Sequence, residues 1–306
     1  MVMSRMPKPR RVLTRRSFLR WAGYGTLGTV LAASGYARFV EPWWIDYSHH
    51  VIPIRGLPAA FQGLRIAHLT DLHYNPVSLD EIAGWVDKVN HLGADLVTLT
   101  GDFITGGHKT DIREVAAVLR PLTAPLGVVA CLGNHDYGTP YPNARRDHLS
   151  HGARAREALE RAGIEVLVNG FTVRRRAGQA LHLAGLGDLW TSDFQADALR
   201  DGPGRPLVVL AHNPDTLYSL EPHAAQRGKP PEPHHFDLML SGHTHGGQVK
   251  FPFLGPPRLP IHHRHLAEGR FEYRGAQIYV SRGLGYLTPV RFRARPEMGI
   301  IELTAA

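Results

Sequence analysis

A chain of 306 residues with 43% hydrophobic side chains has ample material for a buried core, in one large domain or two small ones, and falls outside the disordered class. Its formal charge of +8 is concentrated at one end: seven of the 35 basic residues and none of the 27 acidic ones precede residue 38, leaving 28 basic against 27 acidic side chains. Non-specific nucleic-acid binding thereby loses its main support, and the single cysteine, Cys131, excludes an internal disulfide and reads as a small core residue.

Residues 1–37 combine a basic, proline-containing stretch, an uncharged run over 21–37, and small residues at Ala32, Ala33, Ser34 and Gly35. That is the layout of an export signal. Within it Thr14-Arg15-Arg16-Ser17-Phe18-Leu19-Arg20 resembles the twin-arginine signal, so the export machinery that reads it is an expected partner. Two fates are open: cleavage after Ala37, or retention as an N-terminal anchor, the uncharged run of about 17 residues lying near the lower limit for spanning a bilayer. A short amphipathic helix on the body is disfavoured because the segment has no polar face. The expected location is across the cytoplasmic membrane, either periplasmic or anchored on its outer side.

Residues 38–63, with Pro42, Pro53, Pro58 and the pair Trp43-Trp44, predict a linker that wraps onto a domain over 64–306. Strands are predicted at 64–70, 95–100 and 126–132. Between them Ser78-Leu79-Asp80-Glu81 has the spacing of a capping box opening a helix to about Leu92, and a second helix is predicted over 111–119. After a helix near 154–162 the texture turns to strands, at 165–169, 171–176, 181–186, 207–211, 237–240, 248–251, 278–281 and 298–303, with a surface loop at 222–233. The alternation predicts an α/β arrangement with a parallel or mixed sheet, and the later strands a second sheet packed on the first.

Five short motifs follow these strands: Asp71-Leu72-His73; Gly101-Asp102; Gly133-Asn134-His135-Asp136; Ala211-His212-Asn213-Pro214; and Gly242-His243-Thr244-His245-Gly246-Gly247. Any one of them reads as a cap or turn. Five in succession at strand ends, each with carboxylate, imidazole or amide, read as one site. Imidazole with carboxylate and amide oxygen, without thiolate, suits Mn, Fe, Zn, Co or Ni, and the supply of donors exceeds what one divalent ion needs.

On these motifs, and on Asp95 to Asp102 (DLVTLTGD), Ser241 to Gln248 (SGHTHGGQ) and Tyr279 to Gly285 (YVSRGLG), the sequence resembles the calcineurin-like metallophosphoesterase superfamily and its twin-arginine-exported bacterial branch. The resemblance implies the metallophosphatase fold, an α+β, four-layer αββα sandwich of two mixed β-sheets flanked by helices. It implies two divalent metal ions, with Asp71, His73 and His245 on one, Asn134, His212 and His243 on the other, and Asp102 bridging. It also implies cleavage of a phosphate ester by a hydroxide between the ions, with His135 stabilising the phosphoryl group or protonating the leaving oxygen. Asp136 either orients that imidazole or caps the next segment.

His262, His263, Arg264 and Arg282 are candidate substrate contacts, while His68, inside the first strand, reads as core, and His49, His50, His234 and His235 as surface or structural. The leading function is an exported phosphohydrolase for a phosphodiester or pyrophosphate bond, with a lipid-linked substrate and membrane association suggested by family analogy, the tether and Trp43-Trp44. The alternatives are a phosphomonoesterase or nucleotidase, and a non-catalytic metal-binding scaffold.

Overall fold

The computed structural model describes residues 14–106, 111–139, 148–199, 202–220 and 236–306. The basic residues before Thr14, the expected loop at 222–233, and His234 and His235 lie outside the described residues.

A helix α1 (Arg15–Phe39), capped by the Thr14 hydroxyl, leads the chain. Its side chains are exposed except at its foot, where Ala37 is buried and its carbonyl accepts the Arg291 amide at 2.9 Å. No helix among the described residues is long and apolar enough to cross a membrane.

Residues expected to be a linker contain instead a nine-residue strand, β1 (Asp46–Ile54), paired in parallel along its whole length with the last strand, β12 (Glu297–Ala305). Pro53 is tolerated because β1 lies at a sheet edge, where a missing amide costs no ladder bond. The strands β2 (Leu64–Leu69), β3 (Leu96–Thr100), β4 (Val128–Cys131) and β5 (Glu165–Val166) complete the first sheet, in the order β1-β12-β2-β3-β4-β5. Only β12 and β2 run antiparallel; the other neighbours are parallel.

Helices α2 (Leu79–His91), α3 (Ile112–Leu119) and α4 (His148–Arg161) cover its outer face. The Ser78–Glu81 capping box opens α2, as its spacing predicts, and Asp111 caps α3.

The second sheet has the order β10-β11-β9-β8-β7-β6, built from β6 (Gly170–Arg176), β7 (Gln179–Gly185), β8 (Leu207–Leu210), β9 (Leu238–Ser241), β10 (Gly269–Tyr273) and β11 (Ala276–Val280). It is parallel through β7, β8, β9 and β11, with antiparallel hairpins at both edges. Its outer face carries the one-turn helix α5 (Thr216–Ser219) and short loops. Residues 248–251, expected as a strand, make isolated bridges only, because the chain turns back at once between Phe251 and Gly255.

The sheets face one another across an apolar layer that includes Ile66, Leu96, Val129, Cys131, Leu183, Val208, Leu238 and Ile301. Two further apolar layers fill the outer faces. The expected fold of two mixed sheets flanked by helices is the fold observed, and the carboxyl ends of β2, β3 and β4 in one sheet and of β7, β8 and β9 in the other frame one site.

Candidate metal centre

Each candidate ligand sits where a buried strand stops. The turns that follow are sharp: Asp71, His73, Asp102, His243 and His245 all have positive φ, between 50° and 69°. That region is unfavourable for residues with a Cβ, and five occurrences in one place require the surrounding structure to enforce them. Glycine makes the packing possible at Gly242, where a Cβ would collide with the Thr70 hydroxyl and the Asp71 carboxylate.

The ligand atoms converge in two halves. Asp71 Oδ1 lies 3.8 Å from His73 Nε2 and 3.4 Å from His245 Nε2, and these two imidazole nitrogens face each other at 3.0 Å. On the other side His243 Nδ1 and His212 Nε2 face each other at 3.1 Å. Asp102 Oδ2 joins the halves, 3.5 Å from His73 Nε2 and 3.2 Å from His212 Nε2. Asn134 donates its amide N–H to the Thr139 carbonyl at 2.7 Å, which leaves its Oδ1 buried and without a partner.

Neighbouring groups fix the rings. His212 Nδ1 donates to the Thr100 carbonyl at 2.7 Å and His243 Nε2 to the Pro260 carbonyl at 3.0 Å, so in the neutral ring of each the nitrogen turned to the centre carries the lone pair. Burial pushes His73 and His243 down to about 3 and His245 well below the usual range, keeping these imidazoles neutral. Burial pushes the Asp71 carboxyl up to about 6. Burial also opposes the ionisation of Asp102, but His212 and then His135 outweigh it and hold that carboxyl well below the usual range. Burial likewise opposes the charging of His212, and Asp102 overcomes it, raising His212.

Paired imidazole nitrogens turned toward each other, an orphaned amide oxygen and two carboxylates fit divalent cations well. The donors fall into overlapping groups, Asp71–His73–His245, His73–Asp102–His135 and Asp102–His212–His243, each with ligand atoms within 4.8 Å of one another. Six of the seven residues expected as ligands are thus brought together, and the seventh, Asn134, lines the same cavity as His73, Asp102, His243 and His245.

His135 stands beside them. Its Nδ1 donates to the Thr105 carbonyl at 2.6 Å, which leaves Nε2 for the cavity that His135 lines. Asp136 does not orient that ring. Its carboxylate instead accepts four backbone amides, those of Asp102 and Gly133 at 2.9 Å each, Phe103 at 2.9 Å and Ile104 at 3.3 Å. It ties together the turns after β3 and β4, which both aim their amides at this one carboxylate, and does not cap the segment that follows it. Burial, followed by the charge on Asp102, pushes Asp136 up to about 8.

The candidate substrate contacts are placed elsewhere. Arg282 is held by Asp46 at 2.6 Å, Glu297 at 3.3 Å and Glu268 at 3.7 Å. The His262 and His263 amides and the His263 ring all donate to Asp215, and the His263 ring stacks on Tyr218 at 3.7 Å. Arg264 donates to the Pro256 carbonyl. None of these four lines the cavity over the centre, of about 570 Å³; its wall comes from Trp190, Arg258, Leu259, Pro260 and Leu287.

Three participants were not legible beforehand. Trp190 packs edge-on against His243 at 4.6 Å. Asp188, pushed up to about 6 by burial, accepts the Trp190 amide with one oxygen and leaves the other buried and unpartnered. The signal was present in Gly187-Asp188, the same Gly-Asp pair after a strand as Gly101-Asp102. Fully buried Arg291 donates to the carbonyls of Arg282, Gly283, Gly285 and Ala294 and lies 3.4 Å from His245 Nδ1, bracing the loop behind that ligand.

Residues 64–247 match the family described as calcineurin-like phosphoesterase. The chain is 33% identical to phosphodiesterase YaeI of Escherichia coli (strain K12), over 95% of this chain and 100% of that protein. It is 30% identical to the uncharacterized metallophosphoesterase YkuE of Bacillus subtilis (strain 168), over 95% and 98% respectively. It is 28% identical to UDP-2,3-diacylglucosamine pyrophosphatase LpxG of Chlamydia trachomatis serovar D, over 78% and 83%.

Proposed function

We propose, from the premise that this chain belongs to the calcineurin-like phosphoesterase family, that it is an exported hydrolase cleaving a phosphodiester or pyrophosphate bond at a two-ion centre. That it is a metallophosphoesterase, a hydrolase of phosphate esters, follows from the family and its named relatives. The observation that carries the finer reading is the position of Asp102, whose Oδ2 is shared between His73 and His212 as a bridging ligand must be.

Asp71, His73 and His245 would hold one ion, Asn134, His212 and His243 the other. Bound there, the ions would supply charge to the phosphoryl oxygens and lower the pKa of a water nucleophile. His135, its ring fixed by the Thr105 carbonyl, hydrogen-bonds a phosphoryl oxygen or gives a proton to the leaving oxygen. Trp190, Leu259, Pro260 and Leu287 exclude water on the substrate side, and exposed Arg258 supplies a guanidinium for a second phosphate or a diester oxygen.

This largely apolar wall favours a substrate with a substantial body on both sides of the phosphorus over a small monoester. The names of YaeI and LpxG, a phosphodiesterase and a pyrophosphatase, support the same side of the choice. Export is supported by the arginine pair and uncharged run of residues 14–37.

The test is turnover by purified, metal-loaded protein. Bis-p-nitrophenyl phosphate is expected to be cleaved in preference to p-nitrophenyl phosphate, and Asp102→Ala is expected to lose both turnover and bound metal. A strong preference for the monoester would overturn the diester reading, and undiminished turnover in Asp102→Ala would overturn the site.

A further inference from the structure

We infer that the tight turn over residues 251–255 inserts into a lipid bilayer and seats the mouth of the metal centre on an anionic membrane surface, so that its substrates are amphiphilic phosphate esters; this rests on the phosphohydrolase reading above. Among the described residues, Phe253 and Leu254 are the most exposed of the large apolar side chains, at 106% and 85%, with Phe251 half exposed beside them. Such a display on a folded body marks a surface that something apolar covers.

The turn is rigid. Phe251 and Gly255 exchange backbone hydrogen bonds at 2.9 and 3.0 Å, and Phe253 is held at φ +65°, a conformation that bulky side chains avoid. No packing within the described chain accounts for holding a phenylalanine there.

The surroundings select a membrane as the occupant. Arg293 shares a shallow cleft with Lys250, Phe251 and Phe253. Arg293 and Arg258 are exposed and form no ion pair among the described residues, as a surface meeting anionic head groups requires. The turn is also continuous with α1. Lys250 donates its amide to the Phe292 carbonyl at 2.9 Å, the Phe292 ring meets Tyr36 edge-on at 6.4 Å, and Arg291 holds the Ala37 carbonyl.

The foot of α1 and the base of the turn are thus fastened to the same two adjacent residues, Arg291 and Phe292. From Phe18 to Leu31 the apolar side chains of α1 are exposed, and Arg15, Arg16 and Arg20 stand at its far end, which suits the same lipid surface. On its inner limb the loop that carries Phe253 continues to Arg258, Leu259 and Pro260 in the cavity wall. One segment therefore meets the lipid with its tip and the phosphate ester with its stem.

The only native thiol, Cys131, is buried, so a cysteine introduced by Leu254→Cys can be labelled alone in the full-length protein. With a nitrobenzoxadiazole label there, phosphatidylcholine vesicles containing about 30% phosphatidylglycerol are expected to raise emission about threefold and shift it to the blue. The same label at Glu157→Cys, on the solvent face of α4, is expected not to respond. The double variant Phe253→Ser, Leu254→Ser is expected to keep turnover of soluble bis-p-nitrophenyl phosphate while its vesicle affinity falls about tenfold or more. A label at 254 that stays in water on vesicle-bound protein overturns the proposal and leaves α1 as the membrane contact; absence of vesicle binding overturns it too. Insertion without any turnover of the soluble ester would instead fail the phosphohydrolase reading.

Discussion

At the scale of single residues, Asp136 shows how a carboxylate beside a metal centre can serve it without touching substrate. Its four amide partners hold the turns after β3 and β4 against each other, and Asp102 and Asn134 ride on those turns. Asp136→Ala leaves those buried amides unpaired and is expected to cost about 3 kcal/mol or more, with a loss of bound metal through Asp102, as denaturant titration and elemental analysis would read. A variant that lost turnover with full stability and metal content would return Asp136 to a catalytic role. His68 gives the pH dependence. It is buried between Thr98 and the Ser241 carbonyl, and burial lowers it to about 4. The unfolded chain takes up its proton near pH 6.5 and the folded chain does not until about pH 4, so this histidine removes stability as pH falls through that window. The slope is about 1.4 kcal/mol per pH unit. His68→Gln is expected to flatten the wild-type loss of stability between pH 6.5 and 4 by that amount; parallel curves for the two proteins would refute it.

At the scale of elements, α4 and the turn after β4 meet at a single glycine. Gly152 faces the ring of Tyr137, whose hydroxyl donates to Asp193, and a Cβ there would overlap the ring. In an open helix Gly→Ala gains about 1 kcal/mol; here overpacking wins, and Gly152→Ala is expected to destabilise by about 1 to 3 kcal/mol by thermal or chemical unfolding. An unchanged or raised midpoint would show that Tyr137 has room to move. Elements also separate what the sequence made legible from what it did not. The strand-end ligands were legible because each motif is local: a buried run, a glycine for close approach, then a donor. β1 was not, because a polar run followed by apolar residues around Pro53, with no alternation, looks like a loop until β12, more than two hundred residues later, pairs with it. The substrate contacts failed for the same reason. What Arg282 and His263 touch is decided by Asp46, Glu297 and Asp215, carboxylates on distant segments, and no spacing rule links them.

At the scale of the whole molecule, the metal centre lies across the line where the two sheets meet, with ligands from β2, β3 and β4 on one side and β8 and β9 on the other. Divalent metal held there would tie the sheets together in the folded state only. Removing it with a chelator is expected to lower the unfolding midpoint on the order of 5 to 10 °C, for ligand at about a thousand times its dissociation constant. A midpoint that chelation leaves unmoved, with metal shown to be gone, would mean that the three apolar layers fix the site unaided. The order of strands in the first sheet sets a further constraint on synthesis. Between Asp46–Ile54 and Leu64–Leu69, two of the earliest strands to leave the ribosome, stands the latest of all, Glu297–Ala305. Until that last stretch emerges, the edge strand Asp46–Ile54 has no neighbour to pair with, and Leu64–Leu69 has one side unpaired. A premature stop before residue 297 thus detaches the first strand as well as removing the last, so the damage reaches a segment made long before the stop.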